Sequence, residues 1–185
     1  TGFNPFMATG GAFSVAAGRL SFQYGLEGPC LSVDTACSSS LVALNIAVEH
    51  MRSPLHEREA SLGCGINMTL DAVTSNVLSL AGMLTPDGRC KTLDATADGY
   101  TRGEACCAMT VAGQPQASGA LGLAVLGTSV NQDGRSSSLT APNGPSQQGV
   151  ILGGLRSGGI AEDMTNLQMH GTGTALGDPI EVSAL

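Results

Sequence analysis

The sequence predicts an α/β protein with buried sheets, and three observations carry that prediction. Short aliphatic runs that read as strands alternate with stretches whose apolar residues recur at three- and four-residue steps, as on one helix face. Hydrophobic residues make up 42 % of the chain and charged residues only 12 %, a balance that favours burial over disorder. At 185 residues the chain is long enough for a core, and no internal repeat points to a solenoid. Aromatics are scarce and glycines number 26, so the core is expected to be aliphatic, Ala and Gly, with many close backbone approaches.

Taken in order, residues 1–18 are Gly- and Ala-rich and predict a loop leading to a short helix that includes Arg19 and Leu20. Tyr24-Gly25-Leu26-Glu27-Gly28-Pro29 is a turn cluster. Pro29-Cys30-Leu31-Ser32-Val33 reads as a strand. Leu41, Leu44, Val48 and Met51 then mark a helix running to about Arg52, ended by Ser53-Pro54. Leu62-Gly63-Cys64-Gly65-Ile66-Asn67 predicts a short buried strand, 71–80 a weak helix, and Thr85-Pro86-Asp87-Gly88-Arg89 a turn. Further on come a strand over 105–111, a surface loop over 113–119, a strand over 121–130 and a long polar loop over 131–144. A helix begins at Ser146 and carries Val150, Ile151 and Leu155, weakened by Gly149, Gly153 and Gly154. Leu167-Gln168-Met169 reads as a short strand that delivers His170 into Gly171-Thr172-Gly173-Thr174. Asp178, Pro179 and Glu181 spell a helix start, with Asp178 as its cap. That helix has about one turn before Leu185, and the chain looks cut at both ends.

The net charge of −7, with one lysine and seven scattered arginines, speaks against a nucleic-acid surface. No apolar run reaches membrane-spanning length, and no signal peptide opens the chain. The six cysteines lack the spacing of a disulfide framework or a zinc site, so a reducing, cytoplasmic setting is expected.

The chemistry concentrates in two places. In Val33-Asp34-Thr35-Ala36-Cys37-Ser38-Ser39-Ser40-Leu41 a cysteine stands at a sharp strand-to-helix turn. That is the geometry of a nucleophile elbow with sulfur in place of oxygen. The helix start offers partial positive charge, and the serines are placed to satisfy its first N–H groups. His170 is followed by small and hydroxyl-bearing residues that let a substrate approach the backbone. His50 and His56 sit among charged residues and read as solvated. The Gly171–Gly177 glycines do not match a dinucleotide loop, because the last comes one place too late.

These residues together resemble the β-ketoacyl synthase (ketosynthase) domain of type I polyketide synthases, along essentially the whole chain. The resemblance runs through Gly25-Leu26-Glu27-Gly28-Pro29 and the Cys37 segment to Ala81-Gly82-Met83-Leu84-Thr85-Pro86-Asp87-Gly88-Arg89-Cys90-Lys91 and Asp98-Gly99-Tyr100-Thr101-Arg102-Gly103-Glu104. It continues in Val130-Asn131-Gln132-Asp133-Gly134-Arg135, Leu139-Thr140-Ala141-Pro142-Asn143-Gly144 and His170-Gly171-Thr172-Gly173-Thr174, and closes on Gly177-Asp178-Pro179-Ile180-Glu181. Leu93 stands where Phe is common, and Met169 where Ala is usual.

The resemblance implies a thiolase-like αβαβα layered fold of which residues 1–185 are the middle portion, the end of the N-terminal half and the start of the C-terminal half. It implies a decarboxylative Claisen condensation, in polyketide or fatty-acid synthesis, between an acyl group on Cys37 and a malonyl-type extender on acyl-carrier protein. His170 would be one of two catalytic histidines. Thr172 and Thr174 would bind the phosphopantetheine arm of the carrier. Glu181 would support catalysis by pairing with a lysine that, like the second histidine, lies downstream of this sequence in the family pattern. No cofactor would be bound by the domain itself. The partners implied are acyl-carrier protein and a second copy in a homodimer. Two other readings compete: a non-catalytic ketosynthase-like partner protein, and a Cys-His acyl hydrolase, which would want its base on the sulfur and an orienting Asn or Asp. The 185-residue piece alone is expected to be inactive.

Overall fold

The computed structural model describes residues 2, 4–56, 60–113, 123–160 and 164–185. The chain falls into two compact units, Thr1–Val42 and Ala43–Leu185, and each is described by itself.

In the first unit, α1 (Phe6–Gly11) and α2 (Phe13–Tyr24) form a helical pair broken only at Ala12, whose extended backbone separates them. The expected loop over residues 1–18 is therefore mostly helix. Its alanines are strong helix formers, and the glycines weaken the pattern without abolishing it. Arg19 ties the pair by donating from Nη2 to the Thr9 carbonyl at 3.1 Å. The stretch 29–33 is not a strand. A strand needs a neighbour to pair with, and here the visible tie is the Ser32 hydroxyl donating to the Phe13 carbonyl. After a short 3₁₀ turn over Ala36–Ser38, α3 (Ser39–Arg52) begins, close to the expected helix, and from Ala43 onward it belongs to the second unit.

In the second unit, β1 (Ala60–Asn67) and β2 (Ala105–Ala112) pair antiparallel, from Ala60 opposite Ala112 to Asn67 opposite Ala105. Both strands were expected. Gly63 is where α3 comes close: a Cβ there would meet Leu44 Cα at 3.8 Å. Between the strands lies α4 (Ala72–Leu80), capped by the Asp71 carboxylate accepting from Val73 N at 2.8 Å. The Thr85–Arg89 turn is also present, and Leu84 makes a single parallel bridge to Tyr100.

The described part of the expected 121–130 strand, residues 123–130, is not in a sheet. It lies against helices. Arg52 Nη2 donates to the Leu126 carbonyl at 2.9 Å, and Asn45 Nδ2 to Thr128 Oγ1 at 2.8 Å. Its main support is α5 (Gly144–Gly158), capped by Asn143. A Cβ on Gly127 would fall 2.1 Å from the Gly154 carbonyl oxygen, and one on Gly158 2.9 Å from the Leu126 carbonyl carbon. The glycines that weaken α5 by propensity thus form the face on which this segment lies. Residues 167–169 are likewise outside any strand, and α6 (Gly177–Ser183) closes the chain against α5. Most of the surface loop expected over 113–119 lies outside the described residues. Among the described residues the buried apolar side chains are few: Ala47, Val48 and Met51 on α3, and Ala184.

Candidate active site

Cys37 belongs to the first unit, in the middle of the 3₁₀ turn that leads into α3, and it is exposed. The turn is tied by its neighbours' side chains. Asp34 Oδ1 accepts from Ala36 N at 3.1 Å, and Ser39 Oγ accepts from Thr35 N at 2.8 Å while donating to the Ala36 carbonyl at 2.7 Å. Ser38 Oγ lies 2.8 Å from both the Thr35 carbonyl and Thr35 Oγ1. The serines therefore secure the bend before the helix rather than the first helical N–H groups. Ala36 sits at φ +55°, a left-handed conformation that alanine adopts at a cost of about 1 kcal/mol or more. The strand that the expected elbow requires before the turn is absent, and what stands here is a strained residue beside an exposed sulfur at a helix entry.

His170 lies in the second unit, at the exposed start of a turn that α6 holds from one side. Glu181 reaches back from α6 with both oxygens. Oε1 accepts from His170 N at 2.6 Å and Oε2 from Gly171 N at 2.9 Å. Asp178 was expected to cap α6, but the helix begins one residue earlier, at Gly177, and Asp178 is 3 % exposed. Its carboxylate accepts from Gly173 N at 3.1 Å and from Leu93 N at 2.8 Å. Thr174 takes over at the helix start, its Oγ1 accepting from Gly177 N at 3.1 Å. The Thr172 and Thr174 hydroxyl oxygens are 3.3 Å apart and half-buried.

The segment 90–99 also packs on the turn. Thr92 Oγ1 donates to the Gly171 carbonyl, and Gly99 N donates to the Gly173 carbonyl at 3.1 Å. Gly173 has φ +73°, and a Cβ there would lie 2.6 Å from Lys91 N, so both the conformation and the space demand glycine. Lys91 is clamped between two carboxylates, at 2.7 Å from Asp98 and 3.1 Å from Asp87. Hydrogen bonds to Asp98 and then Asp87 raise the lysine above its ordinary range. The Lys91 contact in turn lowers Asp98. The Thr85 hydroxyl, 2.6 Å away, and then Lys91 lower Asp87 to about 2.

The structure thus places His170, Thr172 and Thr174 in one turn, with Glu181 reaching it from α6, and Cys37 in the first unit. Sequence reasoning missed the roles of Asp178, Thr92, Lys91 and Asp98. For Asp178 a competing signal, the helix-cap pattern before Pro179, gave a sufficient local reading. His50, expected to be solvated, is half-buried in the last turn of α3. All six cysteines are free thiols. No described helix is long and apolar enough to cross a membrane, and no group of three or more potential metal ligands occurs among the described residues.

Comparison with known proteins adds three findings. Residues 2–117 match the family model described as "Beta-ketoacyl synthase, N-terminal domain", and residues 123–185 match "Beta-ketoacyl synthase, C-terminal domain". One component protein of the phenolphthiocerol/phthiocerol polyketide synthase of Mycobacterium tuberculosis is 47 % identical over 184 residues, covering 97 % of this chain and 12 % of its own length. A second component of the same synthase is 45 % identical, covering 97 % and 8 %. This chain therefore spans only a small part of the relatives it matches. Among solved structures, the ketosynthase from module 6 of the bacillaene synthase of Bacillus subtilis 168 superposes with a TM-score of 0.87 at 34 % identity, covering all of this chain and 33 % of that one. An oxazolomycin ketosynthase domain from Streptomyces albus JA3453 gives 0.84 at 32 %, covering 94 % and 31 %. The fold is accordingly the thiolase-like fold of ketosynthases, in part.

Proposed function

This chain belongs to the β-ketoacyl synthase family, and from that membership we propose that the protein carrying it performs a decarboxylative condensation in polyketide synthesis with Cys37 and His170 as catalytic residues. The observation that carries the reading is an exposed cysteine on a strained helix-entry turn, together with a histidine turn clamped by two carboxylates, in a chain that the family matches on both sides.

In this reaction the Cys37 thiol exchanges with a carrier-bound acyl thioester, forming the acyl-cysteine and releasing the carrier thiol. A malonyl-type extender on a second carrier loses CO2, and the enolate left behind attacks the acyl-cysteine carbonyl. The carbon–sulfur bond to Cys37 breaks, the thiolate takes a proton, and a β-ketoacyl thioester leaves on the carrier. Sulfur serves because it is both a nucleophile and a leaving group. His170 donates a hydrogen bond where the enolate charge develops. Glu181 and Asp178 fix the backbone that presents it, and Thr172 and Thr174 offer hydroxyls to the phosphopantetheine arm. The partners are acyl-carrier protein and, in a homodimer, a second copy. No cofactor is bound by the domain, and the free thiols suit a cytoplasmic setting.

The test uses the full-length polypeptide. An acyl-thioester donor should load one acyl group, seen as a mass increase on the Cys37 peptide and lost in Cys37→Ala. Malonyl-carrier decarboxylation should fall by about 100-fold or more in His170→Ala, the loss expected for one enolate donor. Loading that persists without Cys37 would refute the assignment.

A further inference from the structure

We propose that Lys91 is a positioning residue for His170. Clamped between Asp87 and Asp98, it closes the 90–99 segment into a strap that holds the 170–174 turn through contacts separate from those of Glu181. The inference rests on the reading of His170 as the group that assists decarboxylation.

Lys91 is the one lysine in the chain, and its side chain is only 22 % exposed. Its two partners stand at the ends of the segment: Asp87 in the turn before it, Asp98 directly before Gly99. Between them, Thr92 donates to the Gly171 carbonyl and Leu93 N to the Asp178 carboxylate. Gly99 N donates to the Gly173 carbonyl, and the Lys91 backbone lies against Gly173. Leu93 is held at φ +58°, a conformation that persists only where its surroundings impose it. Removing the ammonium would leave Asp87 and Asp98 as like charges at the two ends of this loop, with nothing to offset their repulsion. The loop would then be free to open, and the turn would lose its contacts with residues 92 and 99 while Glu181 still held its first two amides. Cys37 has no part in these contacts, so its acylation should be spared.

The experiment compares Lys91→Met and Lys91→Arg with the wild type in the full-length protein. In Lys91→Met, amide hydrogen exchange over 170–174 should quicken about tenfold. Malonyl-carrier decarboxylation should fall about tenfold, since a donor displaced by a fraction of an ångström loses much of its effect. Acyl loading of Cys37 should stay within about twofold. Lys91→Arg should restore both exchange and decarboxylation. Exchange and decarboxylation unchanged in Lys91→Met would overturn the proposal. So would a parallel loss of loading and decarboxylation that arginine does not rescue, which marks a general folding role. If the wild type itself neither loads nor decarboxylates, the condensing reading falls, and exchange over 170–174 still decides whether Lys91 holds the turn.

Discussion

Two residues show how single groups set the candidate site. Ala36 holds φ +55° beside Cys37, where glycine would be unstrained. Ala36→Gly should therefore raise unfolding stability by about 0.5–1 kcal/mol in urea titrations of the full-length protein, despite the more flexible unfolded chain. Glu181 is the opposite case. Its two oxygens each accept one backbone N–H, from His170 and Gly171. Glu181→Gln keeps the shape but turns one acceptor into a donor facing a donor. The expected cost is about 1–3 kcal/mol in the same titration, with decarboxylation falling more than Cys37 loading. At this scale the sequence was informative where a motif is contiguous. Cys37 and His170 were each singled out as candidates by their immediate neighbours. Asp178 did not, because its second amide belongs to Leu93, and no local pattern joins residues so far apart.

Among the elements, helices were easier to read than strands. The α3, α4 and α5 helices follow from local periodicity and caps, whereas the strands expected over 29–33 and 121–130 rest on short apolar runs, the first partly alternating. Strand formation is decided by a pairing partner, which no single segment reveals. The glycines of α5 make a paired test of how the 123–130 segment is supported. A Cβ on Gly154 would meet only Ser129 Cβ at 4.0 Å, so Gly154→Ala should gain about 0.5–1 kcal/mol of helix propensity. Gly158→Ala would press on the Leu126 and Gly127 backbone and should destabilise instead. Thermal melting of the two variants should move in opposite directions. The strap bears on acid stability. Asp87 and Asp98 are lowered in the folded state, so their contribution is complete above the ordinary carboxylate range and is lost as pH falls through the folded values. Lys91 is raised, so its contribution holds below the ordinary lysine value and is lost only as pH climbs through its higher folded value. A carboxyl-carbon NMR titration should accordingly find Asp87 with a midpoint near 2. A midpoint near the ordinary aspartate value of 3.8 would mean that the clamp is not formed.

For the molecule as a whole, the class was legible and the extent of burial was not. The low charge and aliphatic composition anticipated a large core, yet most big apolar side chains among the described residues are exposed, including Phe22, Leu80 and Leu139. A two-stranded sheet is marginal on its own. The 185 residues expressed alone should therefore bind a hydrophobic dye, melt without a sharp transition and yield no β-ketoacyl product, whereas a full-length ketosynthase should melt cooperatively. A sharp melt and full condensing activity would contradict this. The β2 strand adds a practical consequence. Ala105-Cys106-Cys107-Ala108-Met109-Thr110-Val111-Ala112 carries no charge and no proline, and its two adjacent thiols are exposed. Separate molecules can zip together along such an edge and then be stapled by air oxidation. Purification of these 185 residues would need reductant from lysis onward, and reductant alone would not dissolve clumps already stacked.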